Sequence, residues 1–550
     1  MVFLAAALFI HALLLGLYGK RPLHILQSDN YRAGEYFGRV WRERRRFIPE
    51  CALSVGGAAV FILFYLLLPN RPTEFYLLGL LPYMLGAVKL TVKTQLAKPK
   101  KPIVFTARLK RLYGLYCALV LLPHAAGILI LNFSLLNSQF SIILAALPLS
   151  PLLAHPLAAL AALLAAPIEN KINRRYIEAA RRKLNAMPDL VRIGVAGSFG
   201  KTGVKNYLAA MLGQKYRVCA SPASFNTPLG LAKTVNERLK EGDEILIAEM
   251  GARRVGDIRA LCAWIRPQYG LLNTVGNQHL ATFKTEENIL RAKYELIEGL
   301  VPPARAVFNC DGEKTAALYE WYAGKKLASG QCETRSADCG MRSAEREIKG
   351  TDFDMCYSDA AVTPSGSAFT LNCGTESVRC TTRLLGEHTI GNLTVAATLA
   401  HELGVPLRAI AETIRDMEPI PHRLELIRPG NGVTVIDDAY NSNPQGFRAA
   451  ARVLSVFTGG RRILITPGFA ELGRQTAAEN RRAGETAAAC ADFLLALGRG
   501  GRALRDGWLA GGGAENRVFA LPDLDAAKEW LAGNVKAGDT VLFENDIPDF

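Results

Sequence analysis

None of the eleven cysteines stands in a Cys-x-x-Cys pair, and the Cys-x6-Cys spacings Cys332/Cys339 and Cys373/Cys380 fit no usual zinc ribbon. Free thiols in a reducing compartment are therefore expected. Aromatic residues make up 8% of the chain and nowhere interleave with basic ones in the way that stacks bases. The net charge of +15 is for that reason not read as a nucleic-acid footprint. The apolar N-terminal runs contain no paired ionisable residues, His11 and His124 being the obvious polar exceptions, which weighs against a transporter. The first run also lacks a basic leader and a small-residue cleavage site, so it reads as retained rather than as a signal peptide.

What the chain does have is length and an uneven distribution of apolar residues. Its 550 residues exceed a single core, and the 50% apolar content is concentrated at the front. Five apolar runs follow one another: Val2 to Tyr18, Cys51 to Leu68, Phe75 to Val92, Gly114 to Phe133 and Phe140 to Pro167. Roughly 20 residues suffice to cross a bilayer as a helix, so an all-α transmembrane domain of about five helices is expected over 1–168. Basic residues cluster between the first and second runs and between the third and fourth. The positive-inside rule then predicts a multi-pass plasma-membrane protein with an outside N-terminus, a cytoplasmic remainder and membrane lipids as partners. Residues 169–186 read as a basic juxtamembrane helix or a solvated linker helix.

The chemistry is organised around Val191 to Leu208. Val191, Ile193 and Val195 alternate as a short buried strand, Gly197, Ser198, Gly200, Lys201 and Thr202 make a tight turn, and Val204, Leu208, Met211 and Leu212 have helical spacing. Strand, glycine-rich turn and helix together form a phosphate cradle. Lys201 would reach the outer phosphates and Thr202 would hold magnesium. The first glycine of the common P-loop is replaced by Val195, and a plain strand-to-helix connection is the simpler alternative for so short a motif. Further on, Glu249 ends a buried strand, placed for magnesium or for a cap or salt bridge. His279 follows another strand, and Lys293 lies in the helical stretch Glu286 to Glu295. Taken alone, these two read as a packed or surface imidazole and a solvated surface charge.

In order along the chain, Gly-Ser-Phe-Gly-Lys-Thr, Asn226-Thr-Pro-Leu-Gly, Glu249-Met-Gly-Ala, Asn273-Thr-Val-Gly-Asn-Gln-His279-Leu and Ala292-Lys293-Tyr-Glu resemble the central domain of the Mur ligases. The likeness continues through Gly386 to Asn392, Arg423-Leu-Glu, Asp437-Asp438-Ala-Tyr440-Asn441-Ser-Asn443-Pro444, Glu471-Leu-Gly473 and Asn545-Asp546. Within the family the motifs most resemble the members that add D-alanyl-D-alanine to a UDP-linked muramoyl tripeptide. The resemblance implies an α/β fold with a P-loop-type central domain over 187–425 and a Rossmann-like C-terminal domain over 426–550. It implies ATP and Mg2+ as cofactors, with the triphosphate held between Gly197 and Thr202 and metal at Thr202, Glu249, His279 and Lys293. The lysine would be carbamylated. Asn392 would contact adenine, while Arg423 and Asp438 would meet phosphate and ribose.

The implied reaction activates a carboxylate as an acyl phosphate and joins it to an amino acid or D-Ala-D-Ala-like dipeptide, in cell-envelope precursor synthesis at the bacterial inner membrane. The apolar front replaces the soluble UDP-binding domain of the family, so a lipid-linked acceptor is expected beside a UDP-linked one. A capsule or polyglutamate-type amide ligase, and a membrane ATPase that makes no bond, are the alternatives. No function is assigned to residues 325–349.

Overall fold

The computed structural model describes residues 2–28, 31–42, 48–67, 73–96, 103–132, 150–222, 225–276, 280–332, 353–440, 442–470 and 472–545. Contacts divide the chain into two compact units, with the boundary between residues 174 and 175.

The first unit is helical. Val2–Tyr18, Lys20–Ser28, Ala33–Arg42, Ile48–Leu67, Thr73–Leu96, Ala107–Asn132 and the start of Ser150–Asn185 supply its described residues. Leu15, Tyr18, Leu112, Tyr116, Val120 and Ala158 form its core. His11 makes ring-nitrogen hydrogen bonds of 2.9 Å to both Tyr83 and His124. Arg111 donates twice to the buried Glu169, at 2.7 and 2.9 Å.

The five-span expectation is corrected here. Among the described residues one stretch, Leu152–Asn185, is long and apolar enough to cross a membrane. Val2–Tyr18 has 17 residues, and Leu81–Val92 is only a shorter apolar stretch inside the Thr73–Leu96 helix, which contains Pro82. Residues 140–149 of the fifth run lie outside the described residues. A single apolar helix is also what a protein core contains, so it supports neither a multi-pass location, nor an outside N-terminus, nor lipid partners. Hydropathy counts apolar residues without telling whether they face lipid or protein.

The second unit carries two sheets. Nine strands make the first: β1 (Val191–Ala196), β2 (Val218–Ala220), β3 (Ile245–Glu249), β4 (Tyr269–Leu272), β5 (Arg305–Asn309), β6 (Lys326–Gln331), β7 (Met355–Thr363), β8 (Gly366–Cys373) and β9 (Glu376–Thr382). Their order is β2-β3-β1-β4-β5-β6-β7-β8-β9, parallel through β7 and antiparallel beyond. Because β1 is central, its side chains are buried on both faces. Ile193 and Val195 join a core with Val204, Leu208, Ile390 and Leu393, and Ala196 joins the opposite one with Leu231, Ile258 and Leu296. The connections from β1 go to one side first and then to the other, so β1 and β4 flank a topological switch point, where open α/β sheets bind ligands.

The second sheet is β10 (Glu425–Ile427), β11 (Thr434–Asp438), β12 (Arg462–Thr466), β13 (Phe493–Leu497), β14 (Val518–Leu521) and β15 (Thr540–Glu544), ordered β10-β11-β15-β12-β13-β14. All its pairings are parallel except β10 with β11. Phe447, Leu464, Leu494 and Trp508 pack on one face, and Ile463, Ile465, Leu495 and Val541 on the other. The expectation of free thiols holds for seven described cysteines but not for Cys332 and Cys356, which form a disulfide between the end of β6 and β7. The two are 24 residues apart in the sequence.

Candidate functional site

Three strand ends meet at the switch point. β1 runs into Gly197, β3 ends in Glu249, and β4 runs into Asn273, with Val195 paired to Glu249 and Ala196 to Leu272. The turn is narrow. Gly200 sits in the left-handed region at φ 69° as the N-cap of the Lys201–Leu212 helix, and a Cβ there would come within 2.5 Å of Asn273 Nδ2 and 2.6 Å of Asn392 Oδ1. The turn is held from below, because Ser198 N–H donates to Thr274 O at 2.9 Å and its hydroxyl to Gly276 O at 2.9 Å. Ser198 is thereby committed to the scaffold.

Lys201 folds back over the turn and donates to Gly197 O at 2.8 Å and Ser198 O at 2.9 Å. Burial pushes its ammonium down to about 8, with Glu249 opposing and Arg423 adding to the shift. Thr202 donates its hydroxyl to Glu249 Oε2 at 3.0 Å, and Asn226 Nδ2 donates to Oε1 at 3.0 Å. Lys205 Nζ, one helical turn beyond Lys201, donates to Oε2 at 3.2 Å from a fully buried position. Lys205 was not singled out in the sequence. Its spacing from Lys201 and Thr202 on one helix was the available signal.

Lys293 is buried on the Glu286–Glu298 helix, 5.9 Å from the Phe283 ring centroid. Burial first, and Lys201 second, drive its ammonium well below the ordinary lysine value. His279 lies outside the described residues. Asn392 accepts from Asn273 Nδ2 at 2.7 Å, and Asn273 Oδ1 accepts from Asn309 Nδ2 at 2.7 Å. This amide relay joins the ends of β4 and β5 to the Glu387–Glu402 helix, and Asn273 and Asn309 were not among the expected residues.

Just before β10, Arg423 lies 4.6 Å from the Tyr440 ring centroid, and its charge acts on Lys201, Lys205 and Asp438. Asp438 accepts from Leu424 N–H at 3.3 Å. Burial raises its carboxyl to about 7, against the pull of Arg423. The structure thus gathers Lys201, Thr202 and Glu249 tightly, seats Asn392 against the same turn, and brings the charge of Arg423 to bear on it. A hard divalent cation suits the donor set of a hydroxyl and a carboxylate, and a helix N-terminus at the glycine turn suits an anion, so the residues fit a magnesium nucleotide.

A mostly parallel sheet with a glycine turn at its switch point, followed by a second, mostly parallel sheet with charged residues acting on that turn, makes the second unit an α/β nucleotide-binding region with a P-loop-type cradle. Residues 195–400 match the Mur ligase middle domain and residues 422–544 the Mur ligase, glutamate ligase domain. The chain is 31% identical over 373 residues to the UDP-N-acetylmuramoyl-tripeptide–D-alanyl-D-alanine ligase of Mycobacterium tuberculosis, covering 64% of this chain and 70% of that one. It is 29% identical over 313 residues to the same-named ligase of Escherichia coli, covering 57% and 65%. Among solved structures, MurF from Acinetobacter baumannii aligns with a TM-score of 0.60 at 22% identity over 68% of this chain and 78% of that one. MurF ligase from Thermotoga maritima in complex with ADP gives 0.57 at 24% identity, over 68% and 80%. The chain belongs to the Mur ligase family.

Proposed function

We propose that the protein is an ATP- and Mg2+-dependent amide ligase of the MurF type, which joins D-alanyl-D-alanine to the tripeptide carboxylate of a UDP-N-acetylmuramoyl precursor. The observation that carries this reading is the convergence of Lys201, Thr202, Lys205 and Glu249 at a glycine turn, in a chain that is 31% identical over 373 residues to a ligase of that name. The relatives described above favour this reading over a capsule or polyglutamate-type ligase and over an ATPase that makes no bond, because they are named as D-alanyl-D-alanine-adding ligases.

Bound nucleotide and metal supply the phosphoryl group that activates the carboxylate and the positive charge that steadies it. The chain's own residues do the rest. Gly197 and Gly200 let the backbone approach the phosphates, and Lys201 exchanges its contacts with the Gly197 and Ser198 carbonyls for phosphate oxygens. Thr202 and Glu249 would hold the metal, joined by His279 and a carbamylated Lys293. Asn392 would read adenine from its place against the turn. Arg423 and Asp438 would close over phosphate and ribose and exclude water from the activated acid.

The direct test supplies purified protein with ATP, Mg2+, UDP-N-acetylmuramoyl-tripeptide and D-Ala-D-Ala, and follows phosphate release and product mass. Dipeptide-dependent phosphate release that falls at least about a hundredfold in Lys201→Ala is expected. ATP hydrolysis indifferent to the dipeptide would refute the reading.

A further inference from the structure

Three neighbouring parallel strands of the second sheet end in polar residues: β11 in Asp438, β15 in Glu544 and β12 in Thr466. The register sets Asp438 directly beside Glu544, so two carboxyl groups share the edge at which open α/β sheets hold ligands. Glu544 is fully buried.

Its hydrogen bonds can be counted atom by atom. The Thr466 hydroxyl accepts from Gly468 N–H at 3.0 Å, which leaves its own proton for Glu544 Oε2, 2.8 Å away. Glu544 Oε1 meets the Ser442 hydroxyl, whose own proton has a second acceptor in Asn443 O at 3.4 Å. Asn545 reinforces the same junction: its N–H donates to Asp438 O at 3.1 Å, its Oδ1 accepts from Ser442 N–H at 3.2 Å, and its Nδ2 donates to Gly468 O at 2.7 Å. The charged group facing Glu544 is Asp438, itself attracted to Arg423 and repelled by Asp437. Among the described residues no cation is paired with Glu544. An ionised Glu544 would be a buried anion beside a second carboxylate, a state proteins avoid by keeping the proton. Burial first and the Asp438 charge second hold its carboxyl well above the usual range.

We propose that Glu544 is a positioning residue: with its own proton it donates from Oε1 to Ser442 while Oε2 accepts from Thr466, and so it fixes the connection that carries Asp438 toward the nucleotide. What is positioned rests on the ligase reading. Where the proton sits does not.

Full-length protein labelled with carboxyl-13C glutamate, together with Glu544→Gln and Glu544→Ala, tests this. One glutamate signal in the wild type should fail to titrate near the ordinary value of about 4.3 and should be missing from Glu544→Gln. Glutamine donates from Nε2 and accepts at Oε1, so Glu544→Gln should keep the KM for ATP within about twofold, while Glu544→Ala raises it about tenfold or more. At alkaline pH the wild-type KM for ATP should climb and that of Glu544→Gln should stay flat. If the protein proves not to be a ligase, ADP affinity by calorimetry takes the place of KM, and if Glu544→Ala does not fold, the glutamine variant and the titration still decide. Ordinary titration of Glu544, or a glutamine variant with ATP or ADP binding weakened tenfold, would overturn the proposal.

Discussion

Lys205 Nζ and Glu249 Oε2 lie 3.2 Å apart, and both side chains are buried. A carboxylate at a buried strand end needs compensation in the absence of a metal, and Lys205 supplies it together with the Thr202 hydroxyl and the Asn226 amide. Removing one member of such a pair strands the other. Lys205→Met should lower unfolding free energy by about 3–5 kcal/mol in urea titrations without nucleotide. Adding Mg2+ and ADP should shrink that loss, because a second cation then reaches Glu249. The double variant Lys205→Met with Glu249→Gln should recover part of it, and a double-mutant cycle measures how much. Strict additivity of the two losses would contradict the pairing.

Gly200 should tolerate no side chain. Its φ of 69° costs alanine roughly 1–2 kcal/mol, and the new methyl would displace both Asn273 and Asn392. Gly200→Ala is expected to lower stability by about that amount and to raise the KM for ATP by more than tenfold. Gly256→Ala makes a fair control, since φ there is 96° with nothing within 4 Å of the added Cβ. That variant should pay the backbone strain and leave nucleotide binding alone.

How much of this could be seen beforehand differs from element to element. The alternation Val191, Ile193, Val195 and the helical spacing after Lys201 are local patterns, and β1 and the Lys201–Leu212 helix fall where those patterns put them. Lys205 escaped notice because a lysine on a helix next to a glycine turn looks solvated until the tertiary packing closes over it. The amide relay Asn309, Asn273, Asn392 joins residues 36 and 119 apart in sequence, beyond any local period. The antiparallel extension β7 to β9 was missed for a different reason. Its strands are half exposed at the sheet edge, and their mixed composition shows no continuous apolar run. At the front of the chain, the described parts of the apolar runs are helical, but composition says nothing of what the apolar face touches.

Lys293 should make stability depend on pH in a direction opposite to that of a paired lysine. Its folded-state value lies well below the unfolded value of about 10.4, so the native protein binds fewer protons across the interval between them. Stability therefore rises with pH through that interval and is lost as pH falls toward the depressed value. In carbon-dioxide-free buffer, Lys293→Met should remove this slope and be more stable than the wild type at neutral pH. An uncharged amine is also the form that attacks carbon dioxide, so bicarbonate should raise wild-type activity and leave Lys293→Met unmoved. Parallel pH profiles for the two proteins would contradict the buried, uncharged lysine.

Glu295, two residues from Lys293 on the same helix, separates fold from chemistry. It is fully buried, and its oxygens accept from Gly256 N–H at 2.5 Å and Arg259 N–H at 3.1 Å, thereby capping the Asp257–Ile265 helix, which has no side-chain cap of its own. Those amides lie at the positive end of that helix, where a carboxylate is favoured. Arg259, largely exposed and 3.9 Å away, adds little. Glu295→Ala should cost about 1–3 kcal/mol, because two inward amides lose their acceptor, whereas Glu295→Gln keeps one acceptor oxygen and should cost roughly half as much. Once folded, neither variant should lose the dependence of activity on bicarbonate, which belongs to Lys293. Loss of that dependence in a well-folded Glu295→Gln would mean that the cap also sets the lysine.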